Sequence, residues 1–269
     1  MEHFVRRIAR CASFIATALM LAGAPAHAAS PLLDDTVDLT GTFIFLGANV
    51  PGLVIAVVRN GESVVHGFGE TTKGNGKVPD GDTLMRIGSI TKVFSGAALA
   101  SMAGLKDTIF NLRPGDRERA MQGHGFDGAP LPFIDTPPMV QGAGGLYSTG
   151  NDMVRWLRWH LDRFATADAE MRLMDHAVYV ERDGLNPIIG FDEAGRMDAM
   201  GLGWVVMRPE GDRPLILQKT GGLQGEFSYV AFAPTRGIGV FASINQFSVG
   251  GFDAMAKGVN KLITELAPR

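Results

Sequence analysis

The constraint that most limits this chain's fold is the split placement of its strand-like runs. Gly52-Leu-Val-Ile-Ala-Val-Val-Arg59 and Ser63-Val-Val-His-Gly-Phe68 flank Asn60-Gly61, and two β-rich runs joined by Asn-Gly predict a tight hairpin. Four more runs wait until the last third: Gly201 to Met207, Leu215 to Thr220, Phe227 to Phe232 and Ile238 to Ile244, each separated by turn residues. They predict an antiparallel meander, followed by a covering helix from Phe252 to Leu266. A hairpin before the helical stretches and a meander after them predict an α+β fold, one antiparallel sheet flanked by helices.

Between these strands, Thr149 stands three residues before Asp152, a capping-box pattern with Asp in place of Glu. Met153, Trp156, Leu157, Leu161 and Phe164 follow at helical spacing as a core face. The stretch from Ser30 to Asp38 reads as a loose leader, and Glu70 to Asp82 as a surface loop. Gly74-Asn-Gly-Lys77 in that loop lacks the Ser or Thr and the glycine spacing of a phosphate loop. Asp34, Asp35 and Asp127 read as solvated loop carboxylates.

The N-terminus reads separately. Arg6, Arg7 and Arg10 precede an apolar run from Cys11 to Gly23, and Ala26-His27-Ala28 supplies small residues around a cleavage point. This predicts a signal peptide over 1–28, a domain over 29–269, export to the periplasm and no stable membrane span after cleavage. The chain's one cysteine, Cys11, would leave with that segment, taking any disulfide or thiol nucleophile with it. A net charge of -3 without a basic stripe argues against nucleic acid as a partner.

The chemistry centres on Arg86-Ile-Gly-Ser-Ile-Thr-Lys92, at the start of an Ala/Leu-rich helical run. Residues three apart share a helix face, so the Ser89 hydroxyl and the Lys92 amine can meet. A serine hydroxyl needs a neighbour that takes its proton, and a lysine does so when desolvation or another cation lowers its pKa. Taken alone, Ser-x-x-Lys fits any solvated helix face, but Lys219-Thr220-Gly221 follows much later, and that pairing belongs to penicillin-recognising serine enzymes. A histidine triad is disfavoured because Ser89 lacks a Gly-x-Ser-x-Gly elbow. The histidines show no pairwise ligand spacing, so neither a metal site nor a cofactor is expected.

With both motifs in place the chain resembles the class C β-lactamase family in its broad sense, including AmpH-like D-alanyl-D-alanine carboxypeptidases and related esterases. Gly67-Phe-Gly-Glu70, Asp80-Gly-Asp-Thr-Leu84, Gly104-Leu-Lys-Asp-Thr108, Gly142-Ala-Gly-Gly-Leu-Tyr-Ser-Thr149 with Asn151-Asp152, and Gly221-Gly-Leu-Gln-Gly225 extend the resemblance from about Gly52 to the C-terminus. It implies Ser89 as acylated nucleophile and Lys92 as its proton partner. Lys219, Thr220, Gly221 and Gly222 would bind substrate from an edge strand, and the backbone N–H groups of Ser89 and Gly222 would form the oxyanion hole. The implied substrate is a β-lactam or a D-Ala-D-Ala peptide.

One departure stands out. The family's Tyr-x-Asn motif has no counterpart, because Ser101-Met-Ala runs almost directly into Gly104-Leu-Lys-Asp-Thr108. Tyr147 belongs to the downstream glycine-rich segment and is read as structural. The expectations are an internal shortening near 101–105, a reduced helical subdomain and exposed apolar surface suited to oligomerisation. Slow acylation with poor turnover follows. An esterase on the same scaffold and a non-enzymatic remnant binding cell-wall peptide or a partner are the alternatives.

Overall fold

The computed structural model describes residues 29–94, 104–185, 187–188 and 190–269. The segment to residue 28, the helical run past Phe94 and most of the 101–105 junction lie outside the described residues.

The chain opens with α1 (Pro31–Ala48), then the hairpin β1 (Gly52–Arg59) and β2 (Glu62–Gly69), and β3 (Leu84–Arg86). After a 3-10 turn at Gly88–Phe94 come the single-turn α2 (Gln141–Gly144), β4 (Tyr147–Thr149), α3 (Gly150–Leu161) and α4 (Ala169–His176). Short strands β5 (Val180–Glu181), β6 (Ala199–Met200) and β7 (Val205–Met207) lead into β8 (Ile216–Leu223), β9 (Glu226–Ala233), β10 (Ile238–Ile244) and α5 (Val249–Leu266).

Eight strands form one sheet in the order β2-β1-β10-β9-β8-β7-β6-β5, every pair antiparallel. Its central strands are apolar throughout because both faces are covered. Leu53, Ile55 and Val57 of β1 turn toward Leu33, Val37 and Ile44 of α1 and Val259, Leu262 and Ile263 of α5. Val54, Ala56 and Val58 turn to the other face, toward Met153, Trp156 and Leu157 of α3 and Ile90, Val93 and Phe94 of the 3-10 turn. This is the α+β sheet flanked by helices that the strand pattern predicts.

Three readings need correction. Ser30 to Asp38 is no loose leader: from Pro31 it is helix, with Leu33, Val37, Gly41, Ile44 and Ala48 buried at helical spacing. Asp34 is therefore a helix residue, paired with His66 at 3.1 Å, and Asp35 shares that exposed side. Second, α3 ends at Leu161, and Phe164 is 83% exposed outside the core. Third, Gly201 to Met207 is not one strand, because residues 201–204 turn between β6 and β7, with Gly203 at φ +81°.

The α3 cap forms as its sequence predicts, with Thr149 Oγ1 accepting from the Asp152 N–H at 3.2 Å. The fully buried Asp152 carboxylate then accepts from Lys106 N, Asp107 N and Thr108 Oγ1 at 3.2, 2.7 and 3.0 Å. Two of the motif segments are thus tied to each other, and the tie fixes the loop that follows residue 104. Beyond it, Arg113 and Arg119 both bridge Asp107 and Asp116, and these guanidinium groups hold the Asp116 carboxyl down at about 2 against the opposing effect of burial.

Candidate active site

Ser89 lies on the 3-10 turn Gly88–Phe94 rather than on a regular α-helix. The turn is anchored from beneath by buried Ile90, Val93 and Phe94, with Phe94 stacked on Trp156 at 4.2 Å. Its entry is fixed by Ile87 N donating to Leu146 O at 3.1 Å, and Thr91 Oγ1 accepts from Leu146 N at 3.2 Å. On this base Lys92 Nζ reaches Ser89 Oγ at 2.8 Å and the Ala143 carbonyl at 2.5 Å.

Strand β8 closes the other side. Its register with β7 stops at Gln218, so from Lys219 onward it keeps β9 on one side and offers its other side to the Ser89 turn. The expected edge strand is thus an edge only in its second half. The approach is close enough to dictate glycine at two positions. Gly88 sits at φ +51°, and a Cβ there would lie 2.5 Å from Gly222 N; at Gly221 a Cβ would lie 2.0 Å from Ile87 O.

Ser89, Lys219, Thr220, Gly221 and Gly222 line one cavity of about 770 Å³, with Phe227, Phe252 and Glu193 on its walls. The Lys219 amine is lowered from its ordinary value, first by burial and then by the positive charge of Lys92, while Glu193 opposes the shift. Thr220 Oγ1 donates to Glu193 Oε2 at 3.3 Å.

All six residues singled out from the sequence therefore converge, five on the cavity and Lys92 through its bond to Ser89. Tyr147 does not line the cavity. It is buried in β4 beneath the Arg86 guanidinium, 4.3 Å from its ring centre, where desolvation raises its phenol. Beside it the Arg86 N–H donates to the Glu226 carboxyl at 3.0 Å, and burial pushes that carboxyl well above its ordinary value.

Sequence reasoning missed two participants. The Ala143 carbonyl lies 51 residues from Lys92, although the glycines around it were a sign of close backbone approach. Glu193 carried no motif at all.

The profile of the family described as Beta-lactamase matches residues 33–104 and 98–264. The chain belongs to the β-lactamase family. The two matched stretches of this β-lactamase-family chain overlap at residues 98–104. Over 165 residues it is 36% identical to the D-alanyl-D-alanine-carboxypeptidase/endopeptidase AmpH of Escherichia coli (strain K12), covering 61% of this chain and 42% of that relative. The match thus spans less than half the length of the curated relative. Solved structures share the fold. The β-lactamase/D-alanine carboxypeptidase from Yersinia pestis, complexed with citrate, superposes with a TM-score of 0.74 at 24% identity, over 88% of this chain and 99% of that one. For the class C β-lactamase from Rhodobacter sphaeroides the TM-score is 0.71 at 15% identity, over 87% and 99%.

Proposed function

We propose that this β-lactamase-family chain is an envelope serine hydrolase of the β-lactamase/D-Ala-D-Ala peptidase type, working through an acyl-enzyme on Ser89. The observation that carries the reading is the 2.8 Å contact between Lys92 Nζ and Ser89 Oγ, set against the free half of β8. With Lys92 neutral, its amine takes the hydroxyl proton as Oγ attacks the substrate carbonyl. The backbone N–H groups of Ser89 and Gly222 receive the oxyanion. Collapse of the tetrahedral intermediate breaks the amide bond, and the Lys92 ammonium returns the proton to the leaving nitrogen. Lys219 and Thr220 hold a substrate carboxylate by charge and hydrogen bond.

Water then has to attack the acyl-enzyme, and no tyrosine is among the described residues that line the cavity to handle its proton. A missing general acid/base group costs about 10²- to 10⁴-fold, so acylation outruns deacylation. The envelope assignment rests on the charge and apolar pattern of 1–28; among the described residues no helix is long and apolar enough to cross a membrane.

The test is intact mass after incubation with benzylpenicillin. A persistent adduct on the wild type, absent from Ser89→Ala and Lys92→Ala, supports the reading. Folded wild-type protein that takes no adduct overturns it.

Esterase activity is the second reading, and Glu193 favours it. Its carboxylate occupies the Thr220 hydroxyl and opposes the field of Lys219, which penalises substrates carrying a carboxylate of their own. A several-fold gain in penicillin acylation in Glu193→Gln, with p-nitrophenyl ester turnover unchanged, would place that penalty at Glu193.

A further inference from the structure

Behind the Ser89 turn, on the far side of Trp156, a second group of chemically capable side chains is left unused by the hydrolase reading. His160 stands in the last turn of α3, and Asp175 and His176 close α4. Sixteen residues separate the two histidines, so no sequence spacing announces them, yet His160 Nδ1 and His176 Nε2 lie 2.9 Å apart. Asp175 Oδ2 faces both, 3.6 Å from His160 Nδ1 and 3.9 Å from His176 Nε2.

The imidazoles are hydrogen bonded to each other, but Asp175 Oδ2 takes its hydrogen bond from Trp204 and none from either histidine. One proton can bridge the two imidazoles, but the carboxylate oxygen is beyond hydrogen-bond reach of either nitrogen. With that proton removed, His160 Nδ1, His176 Nε2 and Asp175 Oδ2 are three candidate ligand atoms within 3.9 Å of one another. A circle through them has a radius of about 2.0 Å, which is the bond length of zinc to imidazole nitrogen or carboxylate oxygen. One ion at or just above its centre, in place of the proton between the imidazoles, is within bonding distance of all three atoms.

The surroundings hold the carboxylate and the His160 ring in place, although His160 Nε2 is buried without an acceptor. Trp204 Nε1 donates to Asp175 Oδ2 at 2.9 Å, fixing the carboxylate as outer partners of metal ligands do. The ring of Trp156 meets His160 edge-on at 4.5 Å, and Phe232 packs on it at 4.9 Å, so the His160 side chain has no freedom to swing away. His176 and Asp175 keep 17% and 10% of their side chains exposed, which leaves an entrance for the ion and for a water as fourth ligand.

We infer that His160, Asp175 and His176 form a structural site for zinc or a similar borderline divalent metal, which pins α4 to the end of α3. Two nitrogens and one oxygen suit that class, whereas calcium and magnesium call for oxygen-rich shells of six or more ligands. The inference is independent of the hydrolase reading, because none of the three side chains lines the Ser89 cavity.

The test uses untagged full-length protein, stripped with a chelator and freed of it, then titrated with zinc against a chromophoric competitor. One equivalent should bind, raising Tm by about 5 °C or more at a hundredfold excess over Kd. Cobalt substitution should give the intense visible bands of a four-coordinate site. His176→Ala should weaken binding at least about 100-fold while keeping the wild-type circular dichroism spectrum. If that variant fails to fold, Asp175→Asn carries the same comparison. Wild-type protein without a stoichiometric site at about 10 µM free zinc overturns the inference. So does stoichiometric binding that survives in both variants.

Discussion

Replacing Gly88 by alanine tests the claim that close backbone approach, more than any side chain, builds the catalytic cleft. The added Cβ would stand 2.5 Å from Gly222 N and 2.9 Å from the backbone carbons of Gly221 and Gly222, where ordinary contact begins at 3.4 Å. All three neighbours are backbone, so the turn and β8 must part by about 1 Å. The alanine must also hold φ +51°, which costs about 1 kcal/mol, and forced overpacking adds about 1–3 kcal/mol. Gly74→Ala is the internal control. Its φ is +84° with nothing within 4 Å of the added carbon, so only the backbone penalty applies.

In urea, Gly74→Ala should lose about 1 kcal/mol and Gly88→Ala about 2–4 kcal/mol, a midpoint difference of roughly 0.5–1 M. Because the Ser89 and Gly222 N–H groups sit on the two parted segments, acylation of Gly88→Ala should fall about 100-fold, and that of Gly74→Ala should not change. Gly88→Ala as stable as the control and acylated at the wild-type rate would refute the argument.

Glu226→Gln should change the pH dependence of stability. The Glu226 carboxyl is held well above its ordinary value by burial, so above the ordinary carboxylate range the unfolded chain releases a proton that the folded chain keeps, and wild-type stability falls as pH rises. Glutamine still accepts from Arg86 N and carries no such proton, so its advantage in urea midpoint should grow from pH 5 to pH 8; a constant difference refutes the assignment. Asp152→Ala strands the Lys106 and Asp107 backbone donors and removes one acceptor from the Thr108 hydroxyl and from the Arg155 guanidinium, 2.7 Å away. It should cost about 3 kcal/mol in thermal denaturation, and a loss below about 1 kcal/mol would show that the loop is held by other means.

The sheet was legible because its signals are local. Asn60-Gly61 specifies a turn between two apolar runs, and β8 to β10 alternate with turn residues at strand length. Helix α1 was hidden because Asp34, Asp35, Thr36 and Asp38 crowd the start of a stripe whose buried members, Leu33, Val37, Ile44 and Ala48, show their spacing only over the whole helix. Gly201 and Gly203 were read as part of a strand although they make the turn between two. In the site, Ser89, Lys92 and Lys219 were legible because their motifs encode a geometry. Ala143, Glu193 and the His160–His176 pair were not, since each depends on contacts that tertiary folding brings together.

The pairing of β1 with β10 joins Leu53 to Ile244, residues far apart in the sequence. A ribosome making this protein from its N-terminus finishes the β1–β2 hairpin long before the strand that shelters its inner edge exists. Until Ile238–Ile244 emerges, β1 is an apolar strand with one edge uncovered, a template for the wrong partner. The central sheet therefore closes only once β10 has been made, and its yield depends on how long that edge is kept from other chains.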